Sequence, residues 1–195
     1  MNTHQPHAHR RALLPLLLAL LGAAGSTGSS GCADDPVAYS ETISTKLSGI
    51  KDGEIANGTA SADKNINTES GNPYAEFLKT ARSRLGGRDP GSVTPTLITL
   101  RVSSDSKKVA LLEQVFTTLE VFFADSKTTI PVAGLTAPTG TSVVVPLLTL
   151  VDYEPIADSM LSGDFKVGVR GTTVDPAPSD FELKLTLDIA FRADE

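Results

Sequence analysis

The sequence has no tryptophan, a single cysteine and three histidines, and all three histidines lie within the first nine of its 195 residues. The lone cysteine is Cys32, so no disulfide can form within the chain. Without imidazole beyond residue 9, the rest of the chain cannot contain a Ser-His-Asp triad, a Cys-His pair or histidine metal ligands. A cysteine-rich zinc or iron-sulfur site is excluded as well. Carboxylates, hydroxyls and lysines are the chemistry that remains.

The N-terminal residues have the three-part pattern of an export signal. A polar stretch ends in two arginines, and a run of 13 apolar or small residues follows from Ala12 to Ala24. That run is shorter than the roughly 20 residues of a membrane-spanning helix. Seven small residues then lead into Cys32. We therefore predict that residues 1–31 are a signal peptide.

Ser30-Gly31-Cys32 resembles the end of a bacterial lipoprotein signal, in which the cysteine is acylated and becomes the new N-terminus. The resemblance implies a palmitate-bearing anchor on Cys32, with residues 32–40 as a tether. Ala33 occupies the position where an inner-membrane retention signal has aspartate, which points to the outer membrane of a bacterial cell envelope. The alternative is an ordinary secretory signal cut near Ala23-Ala24-Gly25, which would leave Cys32 as a free thiol.

The charge of the processed chain bears on its partners. Cleavage before Cys32 would leave 15 basic and 23 acidic residues, a net charge of −8. A surface of that sign disfavours contact with phosphate backbones and anionic lipid headgroups. We therefore expect no nucleic-acid partner. The expected partners are the membrane, through the lipid on Cys32, and another envelope protein.

Alternation of apolar and polar residues predicts strands over most of the remaining chain. The clearest two runs are 165–170 and 181–192, joined by the turn-rich segment 171–180, and we expect them to form an antiparallel hairpin. In the second run Leu185 and the residues two positions apart from it face inward. Five further strands are predicted at 41–50, 96–103, 116–124, 129–132 and 142–151.

Two helices interrupt these strands. Asn72 is a good N-cap with Pro73 at the first helical position, and Gly86-Gly87 ends this helix. A second short helix begins near Asp152. The pattern predicts an all-β fold for residues 41–195, an immunoglobulin-like antiparallel β-sandwich with two short accessory helices, the first covering an open end or a sheet edge. A β-barrel is the alternative. The arrangement is similar to that of uncharacterised bacterial lipoproteins with β-sandwich domains, which implies no particular activity.

The remaining candidates for chemistry are few. Glu182 and Asp188 share a polar strand face but lie about 20 Å apart, beyond the roughly 5–10 Å of a glycosidase pair. Ser106-Lys107 lies in a polar turn, where a solvated lysine is a poor base. Loop aspartates that would have to cluster to bind Ca²⁺ are Asp105, Asp125, Asp152, Asp164, Asp175 and Asp180. We predict no catalytic, cofactor or metal site.

Two local features complete the expectations. Asn57-Gly58-Thr59 fits a glycosylation sequon but is better interpreted as a turn. Phe122 points away from the apolar face of its strand, and we expect the helix at 72–85 to cover it; the alternative is an exposed apolar spot for a partner.

We predict a non-enzymatic envelope lipoprotein that serves as a structural or protein-binding module. The alternative is a surface lipoprotein that binds a small ligand, a glycan or calcium through end loops such as 66–73 or 171–180. An envelope hydrolase that relies on carboxylates alone is a third possibility.

Overall fold

The computed structural model describes residues 37–69 and 71–195, so Cys32 and the predicted signal peptide lie outside the described residues. The chain forms an all-β sandwich with two short helices, as predicted. Its strands are β1 (Ala38–Lys46), β2 (Ile50–Lys51), β3 (Thr59–Ile66), β4 (Ser92–Val102), β5 (Thr118–Ala124), β6 (Thr129–Thr136), β7 (Ser142–Val144), β8 (Phe165–Thr172), β9 (Glu182–Leu183) and β10 (Leu185–Asp194). The helices are α1 (Pro73–Arg84) and α2 (Ala157–Ser162).

The strands are arranged in two four-stranded antiparallel sheets. The first has the order β1-β10-β4-β7 and the second β3-β8-β5-β6, while β2 and β9 form a separate short pair. The ring centroids of Phe123 in β5 and Phe191 in β10 lie 5.9 Å apart, so the two sheets share one core. Separate sheets with a common core decide the topology in favour of the sandwich.

The predicted inward face of the last long strand is confirmed. Leu185, Leu187, Ile189 and Phe191 are all buried, and the residues between them are more exposed. The strand lies between β1 and β4, with Ile189 opposite Ile43 on one side and Ile98 on the other. β10 is therefore an interior strand of the first sheet, and its inner face is fully apolar.

The predicted hairpin between residues 165–170 and 181–192 is wrong. β8 pairs with β3 and β5 in the second sheet, whereas β10 pairs with β1 and β4 in the first. The segment between them crosses from one sheet to the other and is bound at both ends: Thr173 N–H donates to Gly58 O and Glu182 N–H to Lys107 O. Both strands bury one face, and burial of one face does not specify which sheet a strand joins.

The boundaries of several elements also differ from the predictions. β1 begins at Ala38, three residues before the predicted start of the domain. β7 covers only three residues of the predicted strand 142–151. β3 was not predicted at all, because its inward residues include the small Ala60 and Ala62, whose side chains give little apolar signal.

The first helix forms where its caps predict it. The Asn72 side chain accepts a hydrogen bond from Tyr74 N–H at 2.9 Å, and Pro73 takes the first helical position. The helix packs against the edge strand β1, where the rings of Phe77 and Tyr39 stack with centroids 5.8 Å apart. Tyr74 is fully buried, and its hydroxyl donates to Met160 O at 2.8 Å, which ties α1 to α2. Burial raises the pKa of the Tyr74 phenol.

We call the end of the sandwich at which β1 begins the basal end. The Tyr74 ring lies 5.1 Å from Phe165, the first residue of β8, and 5.2 Å from Phe191, which is opposite Glu41 near the start of β1. The last residue of β5 is opposite the second residue of β8 and the first residue of β6. The start of β1, helix α1 and the β5–β6 turn therefore all lie at the basal end.

Candidate functional site

Ser106 and Lys107, which the sequence already disfavours as a catalytic dyad, are held in structural interactions. Lys107 Nζ lies 2.8 Å from Glu182 Oε2, and this hydrogen bond raises the pKa of Lys107 and lowers the pKa of Glu182. The Ser106 hydroxyl donates to Lys184 O at 3.2 Å and accepts from Lys184 N–H at 3.0 Å. A Ser-Lys dyad needs a lysine whose pKa is lowered. The contacts of Lys107 have the opposite effect.

Asp188 forms a polar cluster on the outer face of the first sheet. Its Oδ1 accepts from Arg101 Nη2 at 2.8 Å and from the Ser44 hydroxyl. Desolvation raises the pKa of the Asp188 carboxyl, but the hydrogen bonds from Arg101 and Ser44 outweigh it and hold the pKa below its ordinary value. The cluster joins three neighbouring strands, which gives it a role in holding the sheet together.

The lowered pKa of Asp188 predicts a loss of stability in acid. A carboxyl whose pKa is lower in the folded than in the unfolded state stabilises the fold above its unfolded pKa, about 4. That contribution is lost as the pH falls through the folded pKa. We expect the free energy of unfolding of Asp188→Asn, measured by urea denaturation at pH 7 and pH 3, to change less with pH than that of the natural chain.

The matched control is Asp105→Asn, which changes an exposed loop carboxylate. It should keep the pH dependence of the natural chain. Equal pH dependence in the natural chain and in Asp188→Asn would show that the Asp188 cluster does not act on stability through its charge.

The loop aspartates do not form a metal site. In the described part of the chain, no group of three or more His, Cys, Asp or Glu side chains has an arrangement that could hold a metal ion. Asp180 instead pairs with Lys108 at 3.1 Å, and Asp152 caps the turn before α2 through Glu154 N–H at 3.0 Å. Within these residues, the aspartates with contacts of this kind serve turns and surface pairs.

The prediction that the helix at 72–85 covers Phe122 is wrong. The residue is 8% exposed, but its cover is the neighbouring strand β8 and not α1. A Cβ atom on Gly168 would overlap the Phe122 ring, and the Arg170 guanidinium carbon lies 5.6 Å from the ring centroid. Arg170 is fixed in turn by Glu120 Oε1, 2.6 Å from its Nε. The exposed apolar spot considered for Phe122 therefore does not exist.

The predicted turn at Asn57-Gly58 is confirmed, and it starts β3. Both residues have positive φ, 52° and 69°, and Ala56 and Thr59 exchange two backbone hydrogen bonds across them. Asn and Gly are the residues that tolerate this two-residue hairpin turn.

A cleft at the basal end has mostly polar residues in its lining. It has a volume of about 560 Å³ and lies between the ends of β3 and β5 and the start of β8. Its polar lining residues are Asn65, Asn67, Asp125, Ser126, Ser159, Asp164 and Lys166. Amides, hydroxyls, carboxylates and one amine suit a small polar or polyhydroxylated ligand. The adjoining loop 66–73 is one of the two loops named for the alternative function, ligand binding.

Asp125 supports the wall of this cleft. Its Oδ1 accepts the N–H groups of Lys127 at 2.8 Å and Thr128 at 2.7 Å, and its Oδ2 accepts the Ser159 hydroxyl at 3.1 Å. The backbone hydrogen bonds are the main cause of its lowered pKa. Asp125 is thus an ionised carboxylate whose oxygens already have partners, which makes it a structural residue and a poor general acid.

An apolar groove lies at the start of β6, where residues 148–151 run alongside that strand. Its volume is about 350 Å³, and Ile130, Pro131, Leu148 and Pro155 contribute to its lining. Leu150 also lines it, with a fully exposed side chain and a φ of +63°. A left-handed conformation costs an L-residue about 1–2 kcal/mol. Here no burial of the leucine side chain offsets that cost.

The third feature is the open edge of β1. Leu47 N–H donates to Leu185 O at 3.0 Å, and backbone partners alternate along an antiparallel pair. The odd-numbered residues of β1 therefore bond to β10, and the even-numbered ones direct N–H and C=O groups away from the sheet. Those residues are Ser40, Thr42, Ser44 and Lys46, and all four are exposed.

The edges of the other strands are shorter or covered. β7 has three residues, and the free side of β6 bonds to residues 146–148 through Gly134 N–H and Leu148 N–H. Ser48 N–H donates to Asp63 O, which covers the middle of β3. β1 has no proline and no bulge in its pairing with β10. Natural sheets block exposed edges with such devices. On β1, helix α1 contacts the strand at Tyr39, whereas the outward groups at Thr42 and Ser44 have no backbone partner among the described residues and are available for pairing.

Comparison with known proteins assigns no family. No protein-family model matches the chain, and no curated protein matches it. Solved structures described as Desmodium yellow mottle tymovirus and turnip yellow mosaic virus are similar at TM-scores of 0.32 and 0.32, with 11% and 10% identity. They cover 100% and 83% of this chain, and 96% and 95% of their own. A structure of FLHE has a TM-score of 0.26 and 10% identity, covering 81% of this chain and 96% of its own. Similarity at this level supports no statement about function.

The apolar groove and the open edge of β1 were not predicted from the sequence. Residues 142–151 were interpreted as one strand, so the exposed loop at 148–151 was not predicted. The available signal was Pro146 in a run that is apolar on both faces, which predicts an edge or bulged position, and β7 is indeed the last strand of its sheet. In the described residues, no helix is both long enough and apolar enough to span a bilayer.

Proposed function

We propose that this chain is a non-enzymatic envelope lipoprotein, anchored through Cys32, whose β-sandwich binds another envelope protein by strand addition at the edge of β1. The observation that carries the binding mode is the row of outward backbone groups at Ser40, Thr42 and Ser44. An extended segment of a partner can extend the first sheet there through main-chain hydrogen bonds. The side chains at this edge are mostly small and polar, so they leave the backbone accessible.

The state of the polar side chains supports a role without catalysis. Lys107, Glu182, Asp188 and Asp125 each have short hydrogen bonds to neighbouring groups, and the shifts in their pKa values follow from those bonds. Groups used in this way stabilise turns and strand pairs. A catalytic site instead shifts the pKa of its acid or base toward the working pH.

The edge is tested by removing one outward N–H. Thr42→Pro deletes a donor that points away from β10, and proline is tolerated at such edge positions. With a photo-crosslinking phenylalanine derivative at Ser40, we expect Thr42→Pro to lower the yield of a single crosslinked partner about tenfold, since a lost hydrogen bond and the ring both oppose pairing. The yield is measured in intact cells by mass spectrometry.

Thr42→Ala is the matched control, because it removes the same side chain and keeps the N–H group. It should crosslink like the natural chain, and urea denaturation should show that both variants are folded. Equal crosslinking in Thr42→Pro and Thr42→Ala would contradict strand addition. No crosslink, together with a rise in melting temperature on adding a glycan or Ca²⁺, would favour the second candidate, ligand binding in the polar cleft.

A further inference from the structure

The exposed loop 148–151 lies at the basal end, where β1 begins. Leu148 N–H donates to Val132 O at 2.9 Å, and Gly134 N–H donates to Pro146 O at 3.0 Å. The segment therefore runs antiparallel to β6 and reaches its tip beside the start of that strand. The β5–β6 turn precedes that start, and it lies at the same end as the first residue of β1.

We infer that the loop 148–151 and the apolar groove beside it contact the surface of a neutral phospholipid bilayer; this inference rests on the proposed anchor at Cys32. Only five residues of chain lead from Cys32 to Val37, and an extended chain spans at most about 3.6 Å per residue. An acyl anchor on Cys32 would thus hold the basal end within about 18 Å of the membrane. At that distance the loop tip can reach the interface.

The side chains of this surface fit a membrane interface. Leu150 is fully exposed, Leu148 is 42% exposed, and Val37 at the start of the domain is 41% exposed. Asp152 comes directly after the loop and Glu154 two residues later, so anionic headgroups would be repelled. One or two leucines bury too little apolar area to hold a soluble protein on a bilayer. Next to an anchor they are enough to set the orientation of the domain.

The test uses the absence of tryptophan. Leu150→Trp introduces a single tryptophan at the loop tip, and Leu97→Trp is the matched control because Leu97 is a half-exposed leucine on the outer face of the first sheet. Both proteins are purified as the cells make them and reconstituted in phosphatidylcholine vesicles with or without bromine on the acyl chains. We expect brominated lipid to quench the tryptophan at position 150 about twofold more than the one at position 97.

Failure of the anchor is measured separately. The reconstituted protein is floated with its vesicles beside a Cys32→Ala variant, and flotation lost only in that variant supports the anchor. If the natural chain does not float, the anchor is refuted. In that case the two tryptophan variants are coupled through the Cys32 thiol to a maleimide-bearing phospholipid in the same vesicles. The quenching at positions 150 and 97 is then compared as before.

Equal quenching at positions 150 and 97, or no quenching at position 150, would overturn the membrane contact. A blue shift of the emission at position 150 that depends on protein concentration without vesicles would assign the groove to a second copy of this chain. That result would also overturn the inference.

Discussion

Leu185→Asp is expected to destabilise the domain severely. Leu185 is 1% exposed on the inner face of the central strand β10, opposite Val102 on β4. A carboxylate at this position would lose its hydration in a core that offers no partner charge, and such changes cost more than about 4 kcal/mol. Since domains of this size are stable by about 5–15 kcal/mol, a large part of that margin would be lost. The measurement is circular dichroism with urea denaturation.

Two further variants keep this result interpretable. Leu185→Ala leaves a cavity and should cost about 2–5 kcal/mol, which is measurable if the aspartate variant cannot be purified. Thr186→Asp moves the same charge one residue along, to the outer face, where its cross-strand neighbours are Lys46 and Arg101. That variant should be as stable as the natural chain or slightly more so. A loss below about 1 kcal/mol for Leu185→Asp would mean that the inner face is assigned wrongly.

Gly171→Ala is the second large effect that we expect. Gly171 lies in β8, and a Cβ atom there would overlap the carbonyl oxygen of Thr118 and approach the Phe116 ring to 2.8 Å. The carbonyl belongs to the backbone of the neighbouring strand, so relief requires the two strands to separate. We expect a loss of about 3 kcal/mol, at the upper end for one added methyl group in a packed core. Thermal and urea denaturation measure it.

Gly53→Ala is the control for this substitution. A Cβ atom on Gly53 would meet no heavy atom within 4 Å, and the change should be neutral or slightly stabilising. Equal stability of Gly171→Ala and Gly53→Ala would show that β8 and β5 can move apart without loss of packing.

The elements that depend on neighbouring residues in the sequence could be predicted. The cap at Asn72, the proline after it and the alternation in β10 are local patterns, and each has a direct physical cause. The turn at Asn57-Gly58 belongs to the same group, because only a few residues adopt positive φ without strain. The fold class followed from these local patterns taken together.

The pairing of the strands could not be predicted in the same way. A sandwich offers two inner faces, and a strand with one apolar face fits either of them. Strands that follow each other along the chain often, but not always, join the same sheet. β3 was missed for a different reason: its inward residues Ala60 and Ala62, which are opposite Gly171 and Val169 of β8, are too small to give a clear apolar pattern.

The candidate surfaces depend on this pairing. The open edge at β1 exists because that strand is the outermost of its sheet, which only the strand order reveals. The exposed loop at 148–151 exists because β7 ends after three residues and the chain then crosses to β6. Neither property is present in the local pattern of residues.

The pairing of β1 with β10 has a consequence for how the protein is made. Every partner in this ladder is 140 or more positions away along the chain, as between Lys46 and Thr186. A polypeptide that emerges from the ribosome N-terminus first therefore has no partner for β1 until almost all of it has been synthesised. Contacts this distant in sequence form slowly, and an incomplete chain exposes β1 to other strands. The first sheet therefore stays incomplete while synthesis continues.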